Sequence, residues 1–179
     1  MCLSTRCRFG LKEKLTTAPN LKSGDFVAQK VKFTGGQKYP VYTGPGENYA
    51  RSGNGKGLVS SNGWIEVYGQ KDGWILIQYS ISADHYRFGW IEKGALPKDV
   101  TVPELNFRVA PGDQSVGFDR DSYLTDDPLV SRAKLCTVKA ETEIYYLGSL
   151  NDEWAYVMVQ TEDGRWMCGF MPHYDISNG

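Results

Sequence analysis

Residues 72–79 read Asp-Gly-Trp-Ile-Leu-Ile-Gln-Tyr, a turn pair followed by a run of β-branched and aromatic residues. Such runs are typical of β-strands, and an Asp-Gly pair between two of them signals a tight hairpin. The preceding run, Trp-Ile-Glu-Val-Tyr at 64–68, supplies the other strand of that hairpin. Similar turn signals recur along the chain, and no long window has the 3.6-residue apolar period of a helix. The sequence therefore predicts an all-β fold.

The composition excludes several classes of protein. The 179 residues are 41% hydrophobic and 23% charged, with 20 glycines and 13% aromatic residues. A chain of this kind can bury a core, and no apolar run approaches the roughly 18 residues that a membrane-spanning helix needs. The net charge of −1 gives no electrostatic reason to expect a nucleic acid. We therefore expect neither nucleic acid nor a membrane span, and the oligomeric state stays open.

The chain resembles itself when it is shifted by 80 residues. Trp74 then falls on Trp154, each with an aspartate two residues earlier and a glycine fifteen residues later. The strand residues upstream match at a shift of 77, with 65–69 on 142–146, so the intervening loops would differ by three residues. Matches in this order and spacing predict two copies of one small β unit.

The strands that begin at the two tryptophans have two different faces. Every second residue is small, β-branched or otherwise suited to a core, and we expect this set to fill each copy. The Trp-led set is large and still apolar, so we expect a loop, the other copy or a ligand to cover it. The core set is Ile75, Ile77, Tyr79, Ala155, Val157 and Val159, and the Trp-led set is Trp74, Leu76, Gln78, Trp154, Tyr156 and Met158.

The motifs of the first copy resemble those of bacterial SH3-like (SH3b) domains. Residues 39–46 (Tyr-Pro-Val-Tyr-Thr-Gly-Pro-Gly), 64–67, 72–79 and 88–91 (Phe-Gly-Trp-Ile) follow the order of that family. The second copy is more divergent, and Glu153 stands where the first copy has the glycine before its tryptophan. The resemblance implies two small SH3-like β-barrels in tandem.

Four segments follow from the repeat, the resemblance and the charge. We expect a basic N-terminal extension over 1–36, with a first strand near 26–33, and the first barrel over 37–97. A proline-containing connector should span 98–118, and the divergent second barrel 119–179. Seven basic and two acidic residues give the extension a net charge of +5, and five basic and eleven acidic residues give the second barrel −6. We therefore expect a contact between the extension and the second barrel no less than a contact between the extension and another molecule.

The resemblance implies a non-catalytic binding module of the bacterial cell envelope or exterior, because domains of this kind recognise peptidoglycan peptides or other extended chains. The first residues are basic and lack the apolar stretch of a secretory signal, so the secretion route stays open. An extended peptide would lie in an aromatic-lined groove near the loop after the first strand. In the first barrel the candidate groove residues are Tyr42, Asn48, Tyr49, Asn54, Tyr86 and Trp90. In the second barrel Tyr123, Trp166 and Tyr174 are weaker candidates.

The alternative is a structural or interaction protein. Its two barrels would pack through their Trp-led faces and present a surface to an envelope or other protein partner. An open groove around Tyr42, Tyr86 and Trp90 would favour the binding module. Burial of those rings between the copies would favour the structural role.

We expect no enzymatic activity, no metal site and no cofactor. Cys168 and His173 are five residues apart, but Cys168 matches an ordinary strand position of the first copy, and no third orienting group is evident. Both histidines are isolated and no CxxC pair supplies zinc ligands. Disulfides between Cys136 and Cys168 or between Cys2 and Cys7 stay open, with a buried free thiol favoured for the first two.

Overall fold

The computed structural model describes residues 29–32, 37–60, 64–105, 115–116 and 120–177. Antiparallel strands account for most of this backbone, which confirms the predicted all-β fold. Strands β1 to β6 are Gln29–Lys32, Lys38–Pro40, Leu58–Ser60, Trp64–Lys71, Trp74–Ser82 and His85–Glu92, and a 3₁₀ turn follows at Lys93–Ala95. Strands β7 to β12 are Ser115–Val116, Ser122–Thr125, Lys134–Val138, Ile144–Leu150, Trp154–Gln160 and Trp166–Pro172, and helix α1 follows at His173–Ser177.

The sheets divide into two units, which we call the first and second barrel. The first contains the sheet β1-β4-β5-β6 and the hairpin β2-β3, and the second contains the sheet β7-β10-β11-β12-β8-β9. Strand β1 lies within the stretch 26–33 where a first strand was expected, and Gln29 pairs with Val67 of β4. The predicted N-terminal extension therefore contributes a strand to the first barrel. Among the described helices, none has the length and apolar character needed to cross a membrane.

The two barrels repeat the same strand register. A bulge precedes Gly69 in β4 and Gly148 in β10, and the strands on either side pair in the same way. Upstream of the tryptophans the copies therefore match at a shift of 79, and the expected shift of 77 is wrong. The difference is a single residue in the hairpin loop, which is Asp72-Gly73 in one copy and residues 151–153 in the other. Asp72 and Gly73 have φ of 50° and 82°, as a tight hairpin turn with the right twist requires.

Each barrel has its own core, built from the set of residues that the alternation predicts. Ile75, Ile77 and Tyr79 lie in the core of the first barrel. Ala155, Val157 and Val159 lie in the core of the second. Since all six are buried, the predicted assignment of faces is confirmed.

The Trp-led faces of the two barrels pack against each other and form a third cluster, the inter-barrel core. Its rings include Phe88 and Phe170, whose centroids lie 5.0 Å apart. The Trp90 Nε1–H donates a hydrogen bond of 2.8 Å to the hydroxyl of Tyr156. Of the three possible covers for these faces, the structure therefore shows the other copy.

The contact between the two barrels, which we call the joint, also includes backbone hydrogen bonds at its margin. The Phe88 N–H donates to the carbonyl of Asp126 at 2.6 Å, and the Ala50 N–H donates to the carbonyl of Trp166 at 2.7 Å. The Arg87 Nε lies 3.4 Å from Asp126 Oδ2. The two barrels are thus joined by apolar packing, main-chain hydrogen bonds and an ion pair.

The described part of the connector, residues 98–105, lies on the first barrel. Val102 and Leu105 are buried, and the Leu105 N–H donates to the carbonyl of Gln70 at 2.8 Å. The Gln70 N–H donates in turn to the carbonyl of Pro103 at 2.8 Å. This segment therefore belongs to the packing of the first barrel.

Candidate functional site

The structure does not assemble the predicted groove of the first barrel. Trp90 is fully buried in the inter-barrel core. Tyr49 is 6% exposed, and its hydroxyl donates to Met158 Sδ at 3.5 Å. These two side chains cannot line an open groove, because the second barrel covers the face on which they lie.

The other predicted groove residues lie in separate environments. Tyr42 is half-buried and packs edge-to-face on Trp74. Tyr86 is half-buried at the margin of the joint, where its N–H lies 3.5 Å from a carboxylate oxygen of the second barrel. Asn48 and Asn54 are exposed in the loop between β2 and β3. A ligand-binding role for these four residues stays a prediction.

An aromatic-lined hollow lies instead on the second barrel, and we call it the aromatic trough. Its volume is about 350 Å³. A second hollow of about 560 Å³ adjoins it, and Tyr123 and Tyr174 line both. The residues that line the trough are Tyr123, Arg132, Asp152, Glu153, Trp154, Pro172 and Tyr174.

The sheet register brings the members of the trough together from distant parts of the sequence. Trp154 is the first residue of β11 and lies opposite Pro172, the last residue of β12. Tyr123 comes from β8, which pairs with β12. Tyr174 follows in helix α1 and is 61% exposed. The trough therefore forms where strand ends meet the final helix, and two of the weaker sequence candidates, Tyr123 and Tyr174, lie in it.

The third weaker candidate, Trp166, lies elsewhere. Its ring is partly buried against the inter-barrel core, with its centroid 5.7 Å from that of Tyr145. The packing of this residue gives it a place in the joint, and it does not line the trough.

Cationic groups flank the rings of the trough. The Arg132 guanidinium lies 5.7 Å above the Trp154 ring and its Nη2 is 3.1 Å from Glu153 Oε2. The Arg120 guanidinium lies 5.5 Å above the Tyr174 ring. Tyr123 and Trp154 meet edge-to-face with centroids 6.3 Å apart. These contacts hold aromatic surface in place beside polar groups that can orient a ligand.

The indole N–H of Trp154 stands out among the buried polar groups. Trp154 is only 4% exposed, and its Nε1 has no hydrogen-bond partner among the described residues. Leaving a buried donor unsatisfied costs about 1–3 kcal/mol, so such a group in a native protein calls for an acceptor.

The first barrel carries a related arrangement. Tyr42 and Trp74 meet edge-to-face with centroids 5.3 Å apart, and the Arg51 guanidinium lies 5.4 Å above the Tyr42 ring. In each copy the tyrosine precedes the arginine by nine residues, as Tyr123 precedes Arg132. This nine-residue spacing is the sequence signal for the arrangement, and the alignment of the two copies on their tryptophans does not reveal it.

The environments of Cys168 and His173 bear on the cysteine–histidine pair that the sequence contains. Burial raises the pKa of the Cys168 thiol, which keeps the thiol protonated. Desolvation lowers the pKa of His173, whose Nε2 lies 3.3 Å from the Tyr146 hydroxyl. Cys136 and Cys168 are free thiols, and the pair Cys2 and Cys7 lies outside the described residues. In the described part of the chain no three or more His, Cys, Asp or Glu side chains are grouped to hold a metal.

Comparison with known proteins gives few matches. No family model matches the chain, and no curated protein matches it. The solved structure of NlpC2 from Trichomonas vaginalis is 12% identical with a TM-score of 0.30, over 84% of this chain and 48% of that one. The structure of NlpC1 from Trichomonas vaginalis is 10% identical with a TM-score of 0.30, over 83% of this chain and 45% of that one. The chain thus spans less than half the length of either protein.

Proposed function

We propose that this chain is a non-catalytic binding module of the bacterial cell envelope that recognises an extended peptide, with cell-wall peptide as the ligand class. The aromatic trough of the second barrel is the observation that carries the proposal. The sequence resemblance to bacterial SH3-like domains supports the choice of ligand class.

The chemistry of the trough suits an extended chain. Aromatic rings such as Tyr123 and Tyr174 offer apolar surface to side chains or to prolines, whose extended backbone costs little entropy to bind. In the adjoining hollow Lys134 forms no ion pair with another described residue. Its charge would favour an acidic residue in the peptide.

The test is co-sedimentation of the purified chain with insoluble peptidoglycan, repeated in moderate salt. We expect saturable binding that survives the salt and becomes about ten-fold weaker in Tyr174→Ala, because an exposed tyrosine at a binding site often carries such a share of the affinity. The substitution should leave stability within about 0.5 kcal/mol of the wild type, since the ring is largely exposed.

Leu58→Ala is the matched control, since Leu58 is an exposed apolar residue of the first barrel, and it should bind like the wild type. Binding that ignores Tyr174→Ala would rule out the trough. Binding that disappears in moderate salt would indicate attraction between the basic N-terminal extension and the wall polymer, since salt screens exposed charges.

The alternative function, a structural or interaction protein, is favoured by the burial of Trp90 between the barrels. A rigid tandem of this kind can present surfaces at a fixed spacing to a protein partner. The same sedimentation experiment separates the two functions, because the structural role predicts no saturable binding to peptidoglycan.

A further inference from the structure

A cleft of about 450 Å³ lies at the margin of the joint, away from the aromatic trough. One wall is the outer face of the first barrel's sheet, and the other is the turn after β8 in the second barrel. The residues that line it are Lys30, Ile65, Glu66, Gln78, Tyr79, Ser80, Tyr86, Leu129 and Val130. A cleft of this size can hold an amino acid or the end of a peptide.

The sheet wall presents opposite charges side by side. Lys30 of β1 lies opposite Glu66 of β4, and Glu66 lies opposite Gln78 of β5, so the three side chains share one face. The Tyr68 hydroxyl lies 3.3 Å from both Glu66 Oε2 and Gln78 Oε1, and its single hydrogen is donated to one of them at a time. Within the described part of the chain neither Lys30 nor Glu66 forms an ion pair.

The opposite wall is apolar and held in place. Leu129 and Val130 are 41% and 48% exposed, although they lie in a turn fixed by a buried carboxylate. Asp127 accepts hydrogen bonds from the N–H of Val130 at 3.2 Å and from that of Ser131 at 2.9 Å. Two apolar side chains are thus presented rigidly to solvent, facing a lysine and a glutamate.

We propose that this cleft binds a zwitterionic amino-acid group, its carboxylate on Lys30, its ammonium on Glu66 and its apolar side chain against Leu129 and Val130. Charge complementarity decides the ligand class, because a zwitterion contacts both Lys30 and Glu66, whereas a ligand with a single charge contacts only one of them. This site is independent of the aromatic trough and of the proposed wall-peptide function.

The test is an NMR titration of the full chain with leucine as the probe. Leucine should shift the amide signals of Gln78, Tyr86 and Val130 in a saturable way, and alanine should bind more weakly because it lacks the apolar contact. N-acetyl-leucine and leucinamide, which each lack one charge, should bind about ten-fold more weakly than leucine, since a charged hydrogen bond contributes that much.

Conservative variants show which charged group of the ligand each of the two protein charges binds. Glu66→Gln should weaken leucine about ten-fold and leave N-acetyl-leucine unchanged, and Lys30→Met should weaken leucine equally and leave leucinamide unchanged. Glu92→Gln and Lys56→Met, which remove exposed charges elsewhere on the first barrel, are the matched controls.

Three results would overturn the proposal. The first is the absence of saturable shifts up to the solubility of leucine. The second is equal affinity for leucine and its singly charged derivatives. The third is loss of leucine binding in Tyr174→Ala, which would place the probe in the trough.

Discussion

Trp90 shows at the scale of one residue why an aromatic side chain in a strand is ambiguous in sequence. An indole at such a position can line a groove or fill an interface, and the residue type suits both. In the structure its ring is fully buried and its N–H is bonded to Tyr156. Burial raises the pKa of the Tyr156 hydroxyl, so the hydroxyl stays neutral at ordinary pH. The pair therefore fixes how the two barrels meet.

Tyr156→Phe should lower the free energy of unfolding by about 1–3 kcal/mol, because it removes the acceptor of the fully buried Trp90 N–H and preserves the ring. Urea denaturation followed by tryptophan fluorescence measures the change. Tyr174→Phe is the matched control, since its ring is exposed. Equal stability of Tyr156→Phe and the wild type would mean that the bond contributes nothing to the joint.

At the scale of elements, the connector packs against the bulge of β4. Gly69 follows the bulge, and a Cβ at this position would collide with the side chain of Leu105. Leu105 is buried there and its N–H is bonded to the neighbouring Gln70. The proline content of the connector excludes it from a central strand. The connector is nevertheless ordered, because Leu105 approaches the backbone at Gly69 more closely than any residue but glycine permits.

Gly69→Ala should destabilise the protein by about 1–3 kcal/mol, as expected for an added methyl in a packed site. Thermal denaturation measures the loss. The smaller side chain of Leu105→Ala should reduce the added cost of Gly69→Ala, so the two effects will not be additive. Gly94→Ala, where an added Cβ meets nothing within 4 Å, should be close to neutral. A fully additive double variant would contradict this contact.

At the scale of the whole molecule, the joint makes the two barrels one unit. Its centre is apolar, and its margin holds the largely buried Asp126 carboxyl beside Arg87, with Asp127 and Tyr79 close enough to influence it. Burial raises the pKa of Asp126 to about 6, although Arg87 opposes the shift. The native protein therefore binds this proton more tightly than the unfolded chain, whose aspartates titrate near about 4.

The free energy of unfolding should gain a contribution of about 2 kcal/mol from Asp126 as the pH falls from about 7 to about 4. Asp126→Asn should remove this contribution, and urea denaturation across the pH range compares the two proteins. Asp121→Asn is a control of opposite sign, because a hydrogen bond from Lys139 lowers the pKa of the exposed Asp121. An identical pH dependence in Asp126→Asn and the wild type would show that this carboxyl does not titrate in the window.

The sequence by itself determined the all-β class, the repeat and the division of each Trp-led strand into two apolar faces, since turn chemistry and side-chain alternation are local. Tertiary structure decided which apolar surface is free. Trp90 and Tyr49 became interior because the second barrel covers them, whereas Tyr123, Trp154 and Tyr174 meet where the strand register brings β8, β11 and β12 beside helix α1. Adjacency across a sheet or a joint depends on how the whole chain packs, and local sequence does not record it.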